Sequence, residues 1–459
     1  MMFNEIDKGA PVLDVVVSEE ARHEDGRISC VIGNHIQFSE NQLLSYCFAE
    51  WKPVVFDMLV VAAAVEFCDR LHRRPTFGWR RKIYLEVPVH DRALWESQKV
   101  KETLLSALGF LTGDCWNIAF VNRKRVEGSR TQSSLPLPSG ARAIVPFSDG
   151  MDSRAVAALS AQKLNSEVIR VRLGGKKYDQ PRKDGRLQPF TNIPYQVRSH
   201  ERRFAESSNR SRGFKFSMIS GIAAYLSDVD TIIIPESGQG ALGPPLIPVA
   251  QIYPDYRNHP LFTERMEKFF LALLGYRVSW TFPRLWFTKG ETLRAFVAET
   301  TEGNEWSKTI SCWQQNRHVS VDGHRRQCGV CAACMLRRLS VHAAGLSEPA
   351  NHYVWENLSA STFEQGANHN FQKITSALRE YAIAGTMHMD HLAGLADSSL
   401  YQSTIKRNAA QVARALGIKV EDAEMKLTSL LHRHRNEWHA FVESLGPVSF
   451  VRQWTANVL

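Results

Sequence analysis

Two stretches of this sequence carry residue types at spacings that chemistry can use. The first, Ser148-Asp149-Gly150-Met151-Asp152-Ser153, follows the apolar run Ala143-Ile144-Val145 and opens a helix-like segment from Arg154 to Leu164. A strand, a turn of small residues and a helix start gather unpaired backbone N–H groups at the positive end of a helix dipole, which suits a phosphate. Ser148 and Ser153 offer hydroxyls, and Gly150 offers a backbone open to close approach. Asp152 can cap the helix or help hold Mg²⁺. A plain helix cap explains the same residues, since Ser and Asp are preferred there. The Gly-Lys-Ser/Thr ending of a Walker loop is missing, which argues against a standard P-loop kinase. The second stretch is Cys312 with Cys328-Gly-Val-Cys331-Ala-Ala-Cys334. Its spacing is that of a four-thiolate zinc site, and four thiolates close a tetrahedron, as a structural zinc requires. The alternatives are reduced cysteines without metal, a disulfide pair, or a thiolate replaced by His318 or His324 from the intervening loop.

The elements that must position these residues fall into three regions. Residues 1–132 hold strand-like runs at 82–88 and 116–121 and helix-like runs at 54–71 and 93–111, an α+β pattern. Residues 133–141, rich in Ser, Pro and Gly, read as a linker. Residues 142–345 alternate strands (142–147, 167–173, 230–235) with helices (152–164, 215–226), which predicts an α/β fold with a doubly wound parallel sheet. Residues 346–459 have few strand signals. Helical runs at 371–384, 403–416 and 420–445 predict a helical C-terminal region.

Composition sets outer limits. A chain of 459 residues allows two or three domains, with 44% apolar and 22% charged residues as in ordinary globular proteins. The net charge of +9 suits anionic partners or a solvated basic surface, and nucleic acid is not required. The acidic N-terminus reads as no secretory signal, and the apolar stretch 54–67, broken by Asp57 and Glu66, is too short for a bilayer. Cys30, Cys47, Cys68 and Cys115 lie apart from the cluster, a split that favours metal over disulfides in a cytoplasmic protein.

Phe147–Ser153 resembles the Ser-Gly-Gly-x-Asp-Ser loop of the PP-loop ATP pyrophosphatases. Within that superfamily, Tyr253-Pro254-Asp255-Tyr256-Arg257 is similar to the Tyr-Pro-Asp-Cys-Arg run of the QueC family, the 7-cyano-7-deazaguanine synthases. Lys289-Gly290-Glu291-Thr292 is similar to that family's Lys-x-Glu-Thr segment. Thr309–Cys312 and Cys328–Cys334 with Arg337 are similar to its Thr-Cys and Cys-Gly-x-Cys-x-x-Cys-x-x-Arg motif. The order is the family's own. The resemblance implies a PP-loop sheet of the HUP (adenine nucleotide alpha hydrolase-like) type, ATP with Mg²⁺, a structural Zn²⁺, and 7-carboxy-7-deazaguanine as substrate. The substrate carboxylate would attack the α-phosphorus, releasing pyrophosphate, and an amine would then displace AMP. Asp152, Lys289 and Arg257 are the implied catalytic residues. Ser148, Asp149, Gly150, Met151, Asp152 and Ser153 would meet the phosphates, and Arg212 and Asp255 the substrate.

Departures from the pattern redirect the reading. Asp149 replaces a glycine, so it either recruits Mg²⁺ or weakens ATP binding. Leu173–Lys177 replaces the family's Tyr-Gly-Gln-x-His segment, and Ser211–Phe214 only loosely matches Pro-Gly-Arg-Asn. The extra regions before and after the core resemble those of QueC-like proteins from anti-phage systems, such as QatC. That likeness implies transfer of the acyl group to an amine of a partner protein encoded in the same defence operon. The alternatives are nitrile synthesis from ammonia and a non-catalytic nucleotide-binding scaffold. A tRNA thiolase would need a redox cysteine pair outside the zinc cluster.

Overall fold

The computed structural model describes residues 10–20, 26–38, 52–75, 78–124, 140–148, 150–166, 168–173, 191–193, 195–199, 204–249, 253–313, 320–321, 323–396 and 398–455. Asp149, Gly174–Lys177, His318, Cys47 and most of the expected linker lie outside them. The fold is α/β and its two main sheets are parallel. Packing divides the chain into two compact units: residues 1–147, 164–234 and 255–281, and residues 148–163, 235–254 and 282–459. This division differs from the three consecutive regions that composition suggests, because the chain leaves the first unit and returns to it twice.

The first unit holds both parallel sheets. One has the order β2 (Ile28–Val31), β1 (Val12–Ser18), β4 (Lys82–Val89), β5 (Cys115–Asn122). The α+β expectation for this region is therefore corrected, since all its neighbours pair parallel and parallel neighbours need crossovers. Helix α1 (Pro53–Leu71) is one crossover. A second is split into α2 (Arg92–Glu96) and α3 (Gln98–Thr112), where one continuous helix over 93–111 is expected. Ser97, with φ −57° and ψ 138°, makes the break.

Helix α1 is buried from Val55 through Asp69, because it packs on β1 and β4 and also on α5 (Arg212–Ser227). An apolar run without an exposed stripe is what such a position demands. Its three buried acids each have partners. Asp57 accepts from the His90 and Trp95 side, Glu66 pairs with Lys215 at 2.9 Å, and Asp69 pairs with Arg74 and Arg81 at 2.7 and 2.8 Å.

The second sheet runs β11 (Ser279–Thr281), β10 (Thr231–Ile233), β6 (Ala143–Pro146), β7 (Val168–Leu173), β8 (Thr191–Ile193). From β6 the chain adds strands first on one side and then on the other. The topological switch therefore lies between β6 and β10. Along the chain, β6 is followed by Phe147 and then Ser148, and β10 by Ile234 and then Pro235 and Glu236, where the second unit begins. A short antiparallel pair, β3 (Ile36–Phe38) with β9 (Tyr195–Val197), and helix α7 (Pro260–Leu274), which packs on α3 and β11, complete this unit.

The second unit is almost wholly helical. It contains α4 (Met151–Leu164) up to Lys163, α6 (Gly238–Leu246), α8 (Lys289–Glu299), a small hairpin of β12 (Ser320–Val321) and β13 (His324–Arg325), and α9 (Ala332–Ala343). The C-terminal helices follow as α10 (Ser376–Gly394), α11 (Gln402–Leu416), α12 (Val420–Ser444) and α13 (Phe450–Thr455). Its core forms around Trp355, Trp438, Phe363 and Phe371, continuous with the four clustered cysteines. Among the described residues no helix is long and apolar enough to cross a membrane.

Candidate functional site

The loop after β6 is organised by its hydroxyls. Ser148 Oγ and Ser153 Oγ lie 2.8 Å apart, and the Gly150 N–H donates to Ser148 Oγ at 3.1 Å. Helix α4 begins at Met151, so Asp152 and Ser153 stand in its first turn, both buried. An acid there is favoured by the helix dipole. The Lys289 ammonium donates to Asp152 Oδ2, while Asp152 Oδ1 is buried without a hydrogen-bond partner among the described residues. A buried carboxylate oxygen left unmatched is costly, so a ligand at that atom fits the arrangement.

Lys289 is placed with equal care. It is the first residue of α8, behind a full capping box. Thr288 Oγ accepts from the Glu291 N–H at 3.0 Å, and Glu291 Oε2 accepts from the Thr288 N–H at 2.8 Å. The Lys289 N–H itself donates to Gln239 Oε1 at 2.7 Å. A cation in the first turn works against the helix dipole. Its presence there, nearly buried, serves its carboxylate neighbour and not the stability of the helix.

Sequence reasoning missed a third member of this cluster, Glu236. It follows β10 and precedes Ser237, the residue at the N-cap position of α6. Burial first, and then the Asp152 carboxylate beside it, push the Glu236 carboxyl well above the usual carboxylate range, against the pull of Lys289. Gly240 makes room for it: a Cβ there would lie 2.2 Å from Glu236 Oε1. The available signal was Pro235-Glu236-Ser237-Gly238, an acid and a small cap directly behind a core strand.

The four thiols form a second centre. The Sγ atoms of Cys312, Cys328, Cys331 and Cys334 lie within 4.8 Å of one another, all buried. The Cys328–Cys334 pair is 3.7 Å apart, close to the edge of about 3.8 Å that a tetrahedron with Zn–S bonds of about 2.3 Å would have. Backbone N–H groups of Cys328 and Cys331 donate to the sulfurs of Cys312 and Cys328, each at 3.3 Å. Such bonds stabilise thiolates, so the cluster could hold a zinc ion. His324 is exposed in β13 and is not among these ligands. Arg337, fully buried, donates to Thr309 Oγ at 2.7 Å and pairs with Glu348 at 2.6 Å. It thereby ties the segment bearing Cys312 to the helix bearing Cys334.

Arg212, Asp255 and Arg257 belong to the other unit. Arg257 Nε donates to Asp255 Oδ2 at 2.9 Å, and Arg210 stands 3.7 Å from the same carboxylate. Although burial works to raise it, the Arg257 guanidinium holds the Asp255 carboxyl down at about 2. Asp255 thus sits among arginines as their counter-ion. Arg212, at the start of α5, is exposed, with its guanidinium over the Phe216 ring. The structure therefore brings Ser148, Asp152, Ser153 and Lys289 together in one unit, and Arg212, Asp255 and Arg257 in the neighbourhood of α5 in the other.

Against known proteins, residues 249–345 match the family model described as queuosine biosynthesis protein QueC. The 7-cyano-7-deazaguanine synthase of Cupriavidus taiwanensis is 39% identical over 70 residues, 15% of this chain and 27% of that protein. The synthase of Cupriavidus necator gives the same figures. That of Methylobacillus flagellatus is 42% identical over 53 residues, 12% of this chain and 20% of its own. The chain spans 27% or less of the length of these relatives. Residues 249–345, which carry the Tyr253–Arg257 run, Lys289 and all four clustered thiols, are thus QueC-like.

Proposed function

We propose that this protein activates the carboxylate of a deazapurine, 7-carboxy-7-deazaguanine, with ATP and passes the acyl group to an amine. The observation that carries this reading is the Asp152–Lys289 pair with Glu236 beside it, at the starts of three helices. Two of those helices, α4 and α6, follow β6 and β10 along the chain, and a helix start behind a strand suits a phosphate. A carboxylate oxygen of the substrate attacks the α-phosphorus, the bond to the bridging oxygen breaks, and pyrophosphate leaves. The amine nitrogen then attacks the acyl carbon, AMP departs, and the ammonium proton goes to solvent. Both steps bring anions together, so fixed positive charge is what the protein must supply.

Ser148, Ser153 and the N–H groups at the start of α4 are assigned to the phosphates, with Asp149, Gly150 and Met151 in the same loop. Lys289 sets a cation against the departing pyrophosphate. Asp152, through its unpartnered oxygen, and Glu236 would hold Mg²⁺, which supplies charge neutralisation to the triphosphate. Arg257 and Arg212 are assigned to anion recognition with Asp255 orienting Arg257, and the thiol cluster to a structural zinc. The regions outside the QueC-like segment suit a larger acceptor, an amine of a partner protein in an anti-phage defence system of the cytoplasm.

The test is incubation with ATP, Mg²⁺ and 7-carboxy-7-deazaguanine. AMP and pyrophosphate are expected, and ADP as the main product would refute the adenylation. Intact-mass analysis of a co-expressed partner then decides the acceptor. The names of the curated relatives favour a second reading, synthesis of the nitrile from ammonia. It wins if free nitrile accumulates with ammonium and no partner gains mass.

A further inference from the structure

Behind Lys289 lies a buried polar relay that reaches into the C-terminal helices. His434 of α12 stands 2.9 Å from the Met389 carbonyl through Nε2 and 2.7 Å from Gln239 Nε2 through Nδ1. A carbonyl can only accept, so Nε2 carries the proton and Nδ1 accepts from the Gln239 amide. That fixes which way the amide faces. Its oxygen must then meet the Lys289 N–H, as found at 2.7 Å. Burial holds the His434 imidazole down at about 4, so it remains the neutral acceptor at ordinary pH.

One turn further along α12, Glu437 Oε1 accepts from the Thr288 hydroxyl at 2.6 Å, and its Oε2 stands 3.5 Å from Gln239 Nε2. The Thr288 oxygen already accepts from Glu291, so its hydrogen is free for Glu437. Gly290 allows the approach, since a Cβ there would lie 3.1 Å from Glu437 Oε1 and 2.7 Å from Ala343 Cβ.

We propose that Glu437 and His434 are positioning residues for the adenylation step, holding the first turn of α8, and with it Lys289, through Thr288 and Gln239. This rests on the reading of Lys289 given above. The groups facing Glu437 are Thr288, Glu291 and Arg294 on α8, Gln239 on α6, the uncharged Ala343 on α9, and His434 with Arg433 on its own helix. Arg433 is engaged with Glu291 at 3.0 Å. Ionised, Glu437 offers two acceptors to two donors. Protonated, its O–H meets a second donor, the Gln239 amide, and one contact is lost. Burial pushes this carboxyl up to about 7, with Glu291 adding to the effect, so the change falls within the working pH range.

The test uses the full chain and the isosteric Glu437→Gln, whose amide copies the protonated form. Native kcat for pyrophosphate release is expected to rise as pH passes about 7, with KM for ATP unchanged. The variant should lack that rise and stay about tenfold below the native plateau, the loss of one bond to a charged group. Hydrogen exchange of residues 287–294, corrected for intrinsic rates, should show the same step in the native chain and none in the variant. His434→Asn, which keeps an acceptor near Nδ1, should restore part of what His434→Ala loses. A variant Glu437→Gln with the native pH profile, or exchange without a step, overturns the proposal. If the native chain releases no pyrophosphate, the adenylation reading fails, and the exchange step still decides whether Glu437 positions α8.

Discussion

In the unit with the two parallel sheets, the deepest carboxylates are fully matched. Asp114 takes hydrogen bonds from the Arg81 N–H, Nε and Nη2 and from Arg74. Asp69 takes them from both arginines and from the Ser211 N–H. Burial alone would raise Asp69, but Arg74 and Arg81 lower it. Around Lys289 in the helical unit the pattern differs. Asp152 keeps a buried oxygen without a partner among the described residues, and the carboxyls of Glu236 and Glu437 are pushed up. The first network is closed, with donors and acceptors in balance, and its product is a fixed geometry. The second is left short of positive charge, which costs stability unless something else supplies it. A cation-bearing nucleotide is such a thing.

The largest effect that tests this contrast concerns the helical unit's own closed network, the thiols. Cys328→Ser should lose zinc and unfold the core around Trp355 and Trp438, since metal binding is worth on the order of 10 kcal/mol of folding free energy in small zinc domains. Elemental analysis with circular dichroism checks it, and a metal-free variant that keeps its native melting curve would sink the structural role.

Next in size, Asp114→Asn should destabilise the sheet unit by about 3–5 kcal/mol, because it leaves two buried guanidinium groups short of a counter-charge. Denaturant unfolding reads this, with nucleotide turnover per folded molecule unchanged. Asp152→Asn should do the opposite, with little change in unfolding but pyrophosphate release lower by about a hundredfold, as for loss of a group that stabilises transition-state charge. Equal destabilisation by the two substitutions would erase the distinction between the networks.

How much of this was legible beforehand depends on the range of the cause. The helices at 420–445 and 403–416 and the strands at 82–88 and 167–173 follow local periodicity, and they stand within a residue or two of their expected bounds. The thiol cluster was legible because three of its four thiols, Cys328, Cys331 and Cys334, are three residues apart. Glu236 and Gln239 were not, since their partners, Asp152, Lys289 and His434, lie far off in sequence. The first sheet was misread as part of an α+β layout because parallel pairing is a property of connections and not of strands. Val12–Ser18 and Ile28–Val31 are short enough to pass for apolar loop. Asp255 is expected at the substrate by resemblance alone, and its pairing with Arg257 needed coordinates.

The smallest effect separates Glu437 from Asp69 by sign. A carboxyl raised in the folded state contributes stability that is fully present below its unfolded pKa and is lost as pH rises through the folded one. For Glu437 that window runs from about 4.5 to about 7. A carboxyl lowered in the folded state, such as Asp69, contributes stability present above its unfolded value near 3.8 and lost as pH falls below it. Raising the pH toward 8 should therefore loosen the helices around Glu437 slightly, and lowering it toward 3 should strike the Asp69 network. Glu437→Gln removes a charge that burial disfavours, so it should raise the melting temperature of the helical unit by a few degrees above pH 7 and change it much less near pH 5. Calorimetric scans at the two pH values decide it. A gain at pH 5 as large as at pH 8 would mean that the substitution acts through packing, and that the carboxylate is not held at a cost in this corner of the fold.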